Sequence, residues 1–323
     1  MKILITGGGG FQGSHLAESL LAQGHKVTIL NTYAEETPKN LSVIADKINL
    51  IWGSITDQET VEKSVRGHDV VFHLAAHINV DESLKDPLGF FQTNIFGTCN
   101  MLEAVRKHGS RLILASTCEV YGDGQNLKEG ELISETAEMC PNSPYASSKA
   151  AADRIAYSYF RSHGLNITIA RPFNVYGERQ KSGLYGALIP ILVGKALRGE
   201  SLTVFGTGEA TRDFSHVSDI VQGYNLILDN DQLKGKAINL ASGTNIAVKD
   251  IAEYIAKKMN VPIIHGPARP GEVMRFPADI SFARSFGYKP RVDIWEGIDR
   301  YIDWAKKTVK HKKLEQKIKA QVV

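Results

Sequence analysis

The stretch LASTCEVYG places three reactive side chains directly after an apolar run. Thr117 offers a hydroxyl, Cys118 a thiol and Glu119 a carboxylate within three consecutive residues. An unperturbed thiol keeps its proton at neutral pH because its pKa is about 8.5, whereas a carboxylic acid with a pKa of about 4 has lost it. The stretch therefore combines a proton donor with a proton acceptor at the end of a predicted strand.

A tyrosine and a lysine in PYASSK form a second reactive set. Tyr145 and Lys149 are four residues apart, a spacing that puts both side chains on one face of a helix. A nearby ammonium group lowers the pKa of a phenol from its ordinary value of about 10, which makes tyrosine a usable base near neutral pH. The pair predicts a general base and the cation that activates it.

A glycine run near the N-terminus, ITGGGGFQG, predicts a site for a dinucleotide. Gly7, Gly10 and Gly13 are spaced three apart between a predicted strand and a predicted helix. The first glycine permits a tight turn, the second lets a pyrophosphate approach the backbone, and the third lets the helix pack closely on the sheet. The helix N-terminus then supplies free N–H groups and a partial positive charge for the anion.

Asn31 bears on the choice between NAD and NADP. It stands in TILNTYAEE, at the end of the second predicted strand, where an acidic residue that holds the adenosine ribose is usual. An amide accepts a hydroxyl proton but does not repel a 2′-phosphate as a carboxylate would, so NADP is not excluded. No arginine stands beside Asn31 to bind that phosphate, which favours NAD.

Short apolar runs alternate with segments of helical periodicity along the first half of the chain. Strands are predicted at 2–6, 26–30, 48–53, 69–76, 111–117 and 166–172, and helices at 11–24, 57–66, 87–108 and 143–163. This alternation is typical of an α/β, doubly wound parallel sheet (Rossmann) that binds ligands at the carboxyl ends of its strands.

The second half of the chain has a looser rhythm. Helices are predicted at 184–199, from Val217 onwards and at 248–259, with a strand at 236–242. We therefore predict an NAD(P)-binding Rossmann domain at 1–172 and a smaller C-terminal α/β substrate-binding lobe at 173–323. Whether 213–242 returns to the large domain is left open.

Composition and charge exclude several classes of protein. A net charge of +3 that is dispersed along 323 residues does not indicate a nucleic-acid partner. The apolar runs are too short for a membrane span, and Met1 leads straight into a predicted strand, so we expect no membrane segment and no signal peptide. Three distant cysteines without a CxxC motif suggest a cytoplasmic protein without a zinc site. His73 and His77 lie on a strand and a turn, where a gap of four residues does not form a chelate, and no metal is predicted.

Seven motifs occur in an order that resembles a known family. They are TGGGGFQG, HLAA, TNIFGT, STCEVYG, PYASSK, RPFNVYG and TRDFSHVSDI. Together they resemble the extended short-chain dehydrogenases/reductases and, more narrowly, the nucleotide-sugar epimerases and dehydratases; the similarity extends to GYKPRVDIWEGI near the C-terminus. The resemblance implies a tightly held NAD(P) that oxidises a UDP- or dTDP-sugar and is later reduced again. It also implies a homodimer built on the helices near 87–108 and 143–163.

The resemblance assigns roles to individual residues. Thr117 is expected to bind the C4 hydroxyl of the sugar, Tyr145 to take its proton and Lys149 to hold the nicotinamide ribose. The cofactor residues expected from the glycine run and the resemblance are Gly7, Gly10, Phe11, Gln12, Gly13, Asn31, Ser54, Ile55, Leu74, Ala75, Ala76 and Asn94. The expected substrate residues are His77 and Asn79 in the sugar pocket and Asn174, Arg212 and Arg269 at the diphosphate. Ser54 stands where the family often has an aspartate that contacts adenine.

Glu119 favours one reaction of the family over the others. In 4,6-dehydratases the corresponding pair is Asp-Glu, in which Glu removes the C5 proton and Asp protonates the departing C6 hydroxyl. Cys118 then replaces that acid, although a small buried cysteine also serves for packing. The first hypothesis is a 4,6-dehydratase acting on a UDP-hexose such as UDP-GlcNAc.

Three other activities stay open at this point. A UDP-sugar 4-epimerase needs the threonine, tyrosine and lysine alone, so Glu119 would then merely orient the substrate. UDP-glucuronate decarboxylases carry Thr-Ser-Glu at 117–119 and use the glutamate differently. A non-catalytic dinucleotide sensor needs none of these side chains, and the intact set of Thr117, Tyr145 and Lys149 argues against it.

Overall fold

The computed structural model describes residues 1–32, 36–123, 130–181, 187–268 and 274–321, without the side chains at 36, 38 and 310–321. The strands of these ranges, in chain order, are β1 Lys2–Thr6, β2 Lys26–Asn31, β3 Asn49–Trp52, β4 Val70–His73, β5 Arg111–Ala115, β6 Ile167–Pro172, β7 Val175–Tyr176, β8 Leu202–Phe205, β9 Thr211–Asp213, β10 Ser215–His216, β11 Ala237–Leu240, β12 Asn245–Ala247 and β13 Ile263–Gly266.

The helices of the same ranges lie mostly between these strands. In chain order they are α1 Phe11–Ala22, α2 Glu36–Leu41, α3 Gln58–Val65, α4 Val80–Lys85, α5 Pro87–Phe91, α6 Gly97–His108, α7 Pro144–His163, α8 Leu188–Leu197, α9 Val217–Leu228, α10 Val248–Met259, α11 Ser281–Ser285 and α12 Ile294–Gln321. None of these helices is long and apolar enough to cross a membrane.

A seven-stranded parallel sheet forms the centre of the molecule. Its strand order is β11-β6-β5-β4-β1-β2-β3, and every neighbouring pair is parallel. The order reverses between β1 and β4, and ligands of open α/β sheets bind in the crevice at such a switch point. The predicted Rossmann fold is therefore confirmed.

Apolar layers cover both faces of this sheet. On one face Ile3, Ile5 and Ile29 pack with α1 and α9, and on the other Leu4, Val71 and Leu112 pack with α3 and α6. Alternate residues of a strand point to opposite faces, so a strand that is buried on both sides must be apolar throughout. This explains the continuous apolar runs that the sequence shows at 3–5 and 112–115.

The C-terminal lobe has an apolar core of its own. Residues of α8, α10, α12 and β8 form it, among them Leu192, Ile251 and Ile298. Three two-stranded sheets, β7 with β10, β8 with β13 and β9 with β12, complete this part of the fold. The segment between β9 and β11 contacts the large domain, because α9 packs on α1 and β11 joins the main sheet beside β6.

Among the predicted elements whose bounds differ from those in the structure, two bear on the site. The helix predicted at 87–108 is interrupted by a π-helical turn at Gln92–Phe96 between α5 and α6. The strand predicted at 69–76 ends at His73, because the Ala75 N–H donates to the Thr6 hydroxyl at 3.2 Å and leaves the ladder. Both departures lie at the carboxyl edge of the sheet, where side chains of the site are positioned.

Candidate active site

Thr117 starts the short 3₁₀ turn Cys118–Tyr121 that follows β5. The Thr117 hydroxyl accepts the Glu119 N–H at 3.3 Å, so it caps the turn as Ser or Thr commonly does at a helix start. The sharp change of direction buries Cys118 and leaves Glu119 partly accessible. Adjacent residues of LASTCEVYG therefore face different surroundings.

Helix α7 brings the second reactive set to the same edge. Ser143 caps the helix by accepting the Ala146 N–H at 3.1 Å, and Tyr145 and Lys149 follow on the buried face. The Lys149 ammonium donates to the Ala115 carbonyl, the last residue of β5, at 2.6 Å. The Thr117 hydroxyl lies near enough to the Tyr145 phenol to lower the pKa of that phenol. The structure thus brings together the threonine, tyrosine and lysine that the sequence singled out.

Burial controls the proton affinities of this set. It lowers the pKa of Lys149 to about 8, although the carboxylate of Asp153 opposes that shift. Burial also raises the pKa of Tyr145 above its ordinary value, against the opposing effect of the Thr117 hydroxyl. The sequence suggested a lowered phenol pKa, and burial reverses that direction in the protein by itself. Additional positive charge at the phenol would be needed for Tyr145 to act as a base.

The pair Cys118 and Glu119 is also shifted towards its protonated forms. Burial raises the pKa of Glu119, while the positive charge of Arg212 in β9 lowers it. Burial raises the pKa of Cys118, the negative charge of Glu119 raises it further, and the backbone N–H of Asn174 acts in the opposite direction. A thiol in these surroundings is neutral at every physiological pH, and a carboxylate with a raised pKa is a stronger base than usual once it is ionised.

The glycine run forms an open cradle at the N-terminus of α1. Gly7 has a φ of +70°, and a Cβ at this position would lie 2.9 Å from the backbone of Ala75. Gly10 precedes the first helical turn, and no side chain caps that turn. A Cβ on Gly10 would meet the Gly7 carbonyl at 3.2 Å and otherwise enter open space in front of the helix. The cradle fits a pyrophosphate bound to helix N–H groups.

Side chains around the cradle brace it in specific ways. Asn31 accepts the Gly9 N–H at 3.1 Å and donates to the Thr37 hydroxyl at 3.1 Å, so its amide holds the glycine loop. Gln12 accepts the hydroxyl proton of Tyr224 at 3.1 Å, and Phe11 is partly exposed at the start of α1.

The remaining predicted cofactor residues follow β3 and β4 or lie in the π-helical turn. The Ser54 hydroxyl bonds to that of Thr56 at 2.8 Å, and Ile55 is buried. Leu74, Ala75 and Ala76 are partly exposed directly after β4.

Asn94 is buried in the π-helical turn, where it ties two walls of the site together. Its amide oxygen accepts the His77 N–H at 2.8 Å, and its amide nitrogen donates to the His77 carbonyl and the Ser148 hydroxyl, each at 2.9 Å. The π turn inserts one extra residue into the helix and so aims Asn94 inward. Asn94 therefore fixes the loop after β4 against α7.

The predicted substrate residues that the structure describes lie after β4, between β6 and β7, and in β9. His77 is exposed and packs edge-on against Phe90, whose ring packs edge-on against Tyr145. Asn79 caps α4 by accepting the Glu82 N–H at 3.0 Å. Asn174 has a φ of +26° and donates to the Asp213 carbonyl at 2.9 Å. Arg212 donates to the Thr211 carbonyl at 2.8 Å and directs its charge towards Glu119, and Arg269 lies outside the described residues.

Two buried groups near the site have no role in the sequence-based predictions, His73 having been considered only as a metal ligand. His73 contacts the Thr6 hydroxyl at 2.7 Å and the Thr98 hydroxyl at 3.1 Å, and burial lowers its pKa to about 3, so the ring is neutral. Asp153 lies four residues beyond Lys149, a spacing that the helical period could have revealed. Within the described residues no group of three His, Cys, Asp or Glu side chains could hold a metal ion.

Comparison with known proteins now decides the family. The profile of the NAD dependent epimerase/dehydratase family matches residues 3–241. The chain belongs to the NAD dependent epimerase/dehydratase family. A dTDP-glucose 4,6-dehydratase from Streptomyces niveus is 35% identical over 319 residues, which cover 94% of this chain and 92% of that protein.

Other relatives in the epimerase/dehydratase family are named for different activities, although their sequence identity with this chain is similar. A putative UDP-glucose 4-epimerase from Methanocaldococcus jannaschii is 34% identical, covering 94% of this chain and 98% of that protein. A UDP-N-acetyl-alpha-D-glucosaminuronate decarboxylase from Bacillus cytotoxicus is 33% identical, with coverage of 94% and 97%.

Solved structures of the family agree with the fold and the cofactor. Pal from Bacillus thuringiensis has a TM-score of 0.90 and 32% identity, covering 95% of this chain and 100% of that chain. DesIV from Streptomyces venezuelae, a dTDP-glucose 4,6-dehydratase solved as a double mutant with NAD bound, has a TM-score of 0.86 and 30% identity, with coverage of 95% and 97%. The predicted family and NAD as cofactor are confirmed.

Proposed function

We propose that the protein is a 4,6-dehydratase of a nucleotide-linked hexose. The observation that carries the proposal is the position of Glu119, a partly buried carboxylate beside the Thr117–Tyr145–Lys149 set. An epimerase needs no second base at this place, whereas a dehydratase needs one for the C5 proton. Relatives with the name dTDP-glucose 4,6-dehydratase support the same reaction.

The reaction begins at C4 of the sugar. Bound NAD supplies the acceptor for the C4 hydride, a positive charge near the phenol, and later the same hydride for C6. Thr117 binds the C4 hydroxyl and Tyr145 takes its proton, which leaves a ketone at C4. Lys149, mostly protonated below its pKa of about 8, favours the phenolate and holds the nicotinamide ribose.

The ketone makes the neighbouring C5 proton acidic, and Glu119 removes it. The C6 hydroxyl leaves as water after taking a proton, for which the neutral thiol of Cys118 is the candidate donor. C6 then receives the hydride, Glu119 returns a solvent-exchanged proton to C5 and water reprotonates Cys118, so that the product is a 4-keto-6-deoxy sugar. The reaction consumes no net oxidant, because the hydride lost at C4 is returned at C6.

We infer that the substrate is a UDP- or dTDP-hexose, with a UDP-hexose such as UDP-GlcNAc as the first choice. A UDP-N-acetylglucosamine 4-epimerase from Methanobrevibacter ruminantium, solved in complex with UDP-N-acetylmuramic acid, has a TM-score of 0.88, 30% identity, and coverage of 95% of this chain and 98% of that chain. Asn174, Arg212 and Arg269 would bind the diphosphate, since guanidinium groups make strong charge-assisted hydrogen bonds with phosphate oxygens.

A 4-epimerase is the second candidate. The specific observation in its favour is the 34% identity with the putative UDP-glucose 4-epimerase, which nearly matches the identity with the dehydratases. In an epimerase the hydride returns to C4 on the other face of the ring, and the mass of the sugar does not change.

A panel of UDP-, dTDP- and GDP-hexoses tests the proposal. Each is incubated with the purified protein and NAD in heavy water, and the products are analysed by mass spectrometry and NMR. We expect one sugar to yield a product that has lost one water and gained deuterium at C5. A product of unchanged mass with an inverted C4 would favour the epimerase, and loss of carbon dioxide from a uronate would favour the decarboxylase.

A further inference from the structure

Arg171 occupies an unusual place for an arginine, fully buried in β6 close behind the site. Its Nε donates to Oδ2 of Asp153 at 2.9 Å and one Nη donates to Oδ1 at 3.0 Å, so the carboxylate is bound in the bidentate manner that suits a guanidinium. Asp153 is fully buried as well. A buried ion pair adds little net stability to a protein, because both ions lose their hydration. Its more useful contribution is to fix the positions of the elements that it joins.

The other side of the Arg171 guanidinium contacts the turn that carries Glu119. Its second Nη donates to the Tyr121 hydroxyl at 2.7 Å and to the Glu135 carbonyl at 3.0 Å. The guanidinium carbon also lies 5.1 Å from the centre of the Tyr121 ring. One planar group thus joins a helix on one side to a catalytic turn on the other.

The far end of this chain of contacts is anchored in the main sheet. The Tyr121 hydroxyl donates to the amide oxygen of Asn239 in β11 at 2.7 Å. The Asn239 amide nitrogen donates in turn to the carbonyls of Ile133 and Asp279, at 2.9 Å and 3.2 Å. With both ends of its amide engaged, Asn239 offers the Tyr121 hydroxyl a fixed acceptor.

These contacts connect the two reactive sets through the protein interior. Asp153 follows Lys149 by four residues and Tyr145 by eight, on the same face of α7. Tyr121 follows Glu119 by two residues within one 3₁₀ turn. We propose that Arg171 and Tyr121 are positioning residues, which lock the turn carrying Glu119 onto the helix carrying Tyr145 and Lys149. The expected effect on reaction rates rests on the proposed function. The expected effect on the position of the turn rests on geometry alone.

Tyr121→Phe tests the inference with the smallest change, because it removes one hydroxyl and keeps the ring. Two steps are measured on one sample: reduction of the nicotinamide after mixing with substrate, and deuterium entry at C5. We expect the first rate to stay within about twofold of wild type and the second to fall at least about tenfold, since misplacement by about 1 Å can cost about 10²-fold in rate. A variant that only loses stability would slow both steps alike.

Matched variants separate position from folding. Tyr301 is also buried and donates one hydrogen bond, to the Gln180 carbonyl at 3.1 Å, in the core of the C-terminal lobe. Tyr301→Phe should leave both rates within about twofold of those of the wild type, because the lost hydrogen bond is of the same kind as in Tyr121→Phe but lies far from the site. Arg171→Lys keeps the charge and loses the two-pronged geometry of the guanidinium, and we expect it to slow deuterium entry at C5 more than reduction of the nicotinamide, as Tyr121→Phe does.

The outcomes distinguish this inference from the proposed function. If the wild-type protein shows no deuterium at C5 with any hexose, the dehydratase proposal fails, and crystal structures of wild type and Tyr121→Phe then decide the inference. A turn at 118–121 that shifts against α7 supports the inference. An unmoved turn, or equal losses of both rates in Tyr121→Phe, overturns it.

Discussion

Glu119 and Cys118 are neighbours in sequence with opposite tasks in the proposed reaction. Burial raises the pKa of both groups, which makes Glu119 a stronger base once it is ionised but makes Cys118 a weaker proton donor. Cys118 is packed among core side chains such as Val120 and Phe173, so packing is the competing explanation for the thiol.

Cys118→Ala separates the two explanations. If the thiol protonates the C6 hydroxyl, deuterium still enters at C5 while loss of water slows by at least about tenfold, as general acid catalysis is worth about 10²–10⁴ in rate. The measurement compares C5 exchange with product formation in the same sample. Cys118→Ser serves as the control for size. A loss smaller than about tenfold in Cys118→Ala would assign the residue to packing.

At the residue scale the sequence predicted the side-chain positions that follow from local spacing along the chain. Thr117, Tyr145 and Lys149 meet in the structure as expected, because one follows a strand and the other two share a helical face. The Arg171–Asp153–Tyr121 contacts were not predicted, since they join three elements that are distant along the chain. The direction of the Tyr145 pKa was also missed, because burial cannot be read from a motif.

The element that presents the cofactor is α1, and its glycines make separable contributions. A Cβ on Gly13 would lie 2.4 Å from the Gly7 carbonyl, a backbone atom that cannot move without disturbing the turn. A Cβ on Gly10 would face mainly open space in front of the helix. We therefore infer that Gly13 serves the packing of α1 and that Gly10 leaves room for the bound dinucleotide.

The variants Gly13→Ala and Gly10→Ala test this division. Gly13→Ala should lower the free energy of unfolding by about 1–3 kcal/mol through overpacking, and NAD binding should weaken with it. Gly10→Ala should weaken NAD binding at least about tenfold while the free energy of unfolding changes by less than about 1 kcal/mol. Denaturant unfolding without NAD and calorimetric titration with NAD give the two quantities. Equal stability of both variants would contradict the assignment.

The π-helical turn shows where element prediction from sequence ends. Periodicity gave one helix at 87–108, because apolar residues recur at helical spacing along all of it. The extra residue at Gln92–Phe96 serves Asn94, whose amide bridges His77 and Ser148, and this need arises from tertiary structure alone. The alternation of strands and helices, which depends on local pattern, was predicted correctly.

At the scale of the whole molecule, α5 and the π-helical turn each expose a large apolar side chain. Leu88 is 73% exposed and Phe96 is 57% exposed. Both lie in the helical stretch that the family resemblance assigned to an intersubunit bundle. We propose that a second copy of this chain covers them in a homodimer, as exposed apolar side chains in such a group mark an interface.

Charged substitutions test the homodimer. The double variant Leu88→Glu and Phe96→Glu should shift the protein from dimer to monomer, because a dimer would bury the introduced carboxylates. Sedimentation equilibrium measures the mass. Ile264→Glu, at a side chain that is 51% exposed in the C-terminal lobe, is the control and should keep the dimer. A wild-type protein that sediments as a monomer at micromolar concentration would contradict the proposal.

The whole account depends on transient oxidation at C4 followed by removal of the C5 proton. The most direct test follows deuterium entry at C5 from heavy water in wild type and in Glu119→Gln, together with the reduction of the nicotinamide. The account predicts that Glu119→Gln still reduces the nicotinamide but loses deuterium entry by at least about 10²-fold. Full turnover and unchanged deuterium entry in Glu119→Gln would contradict it.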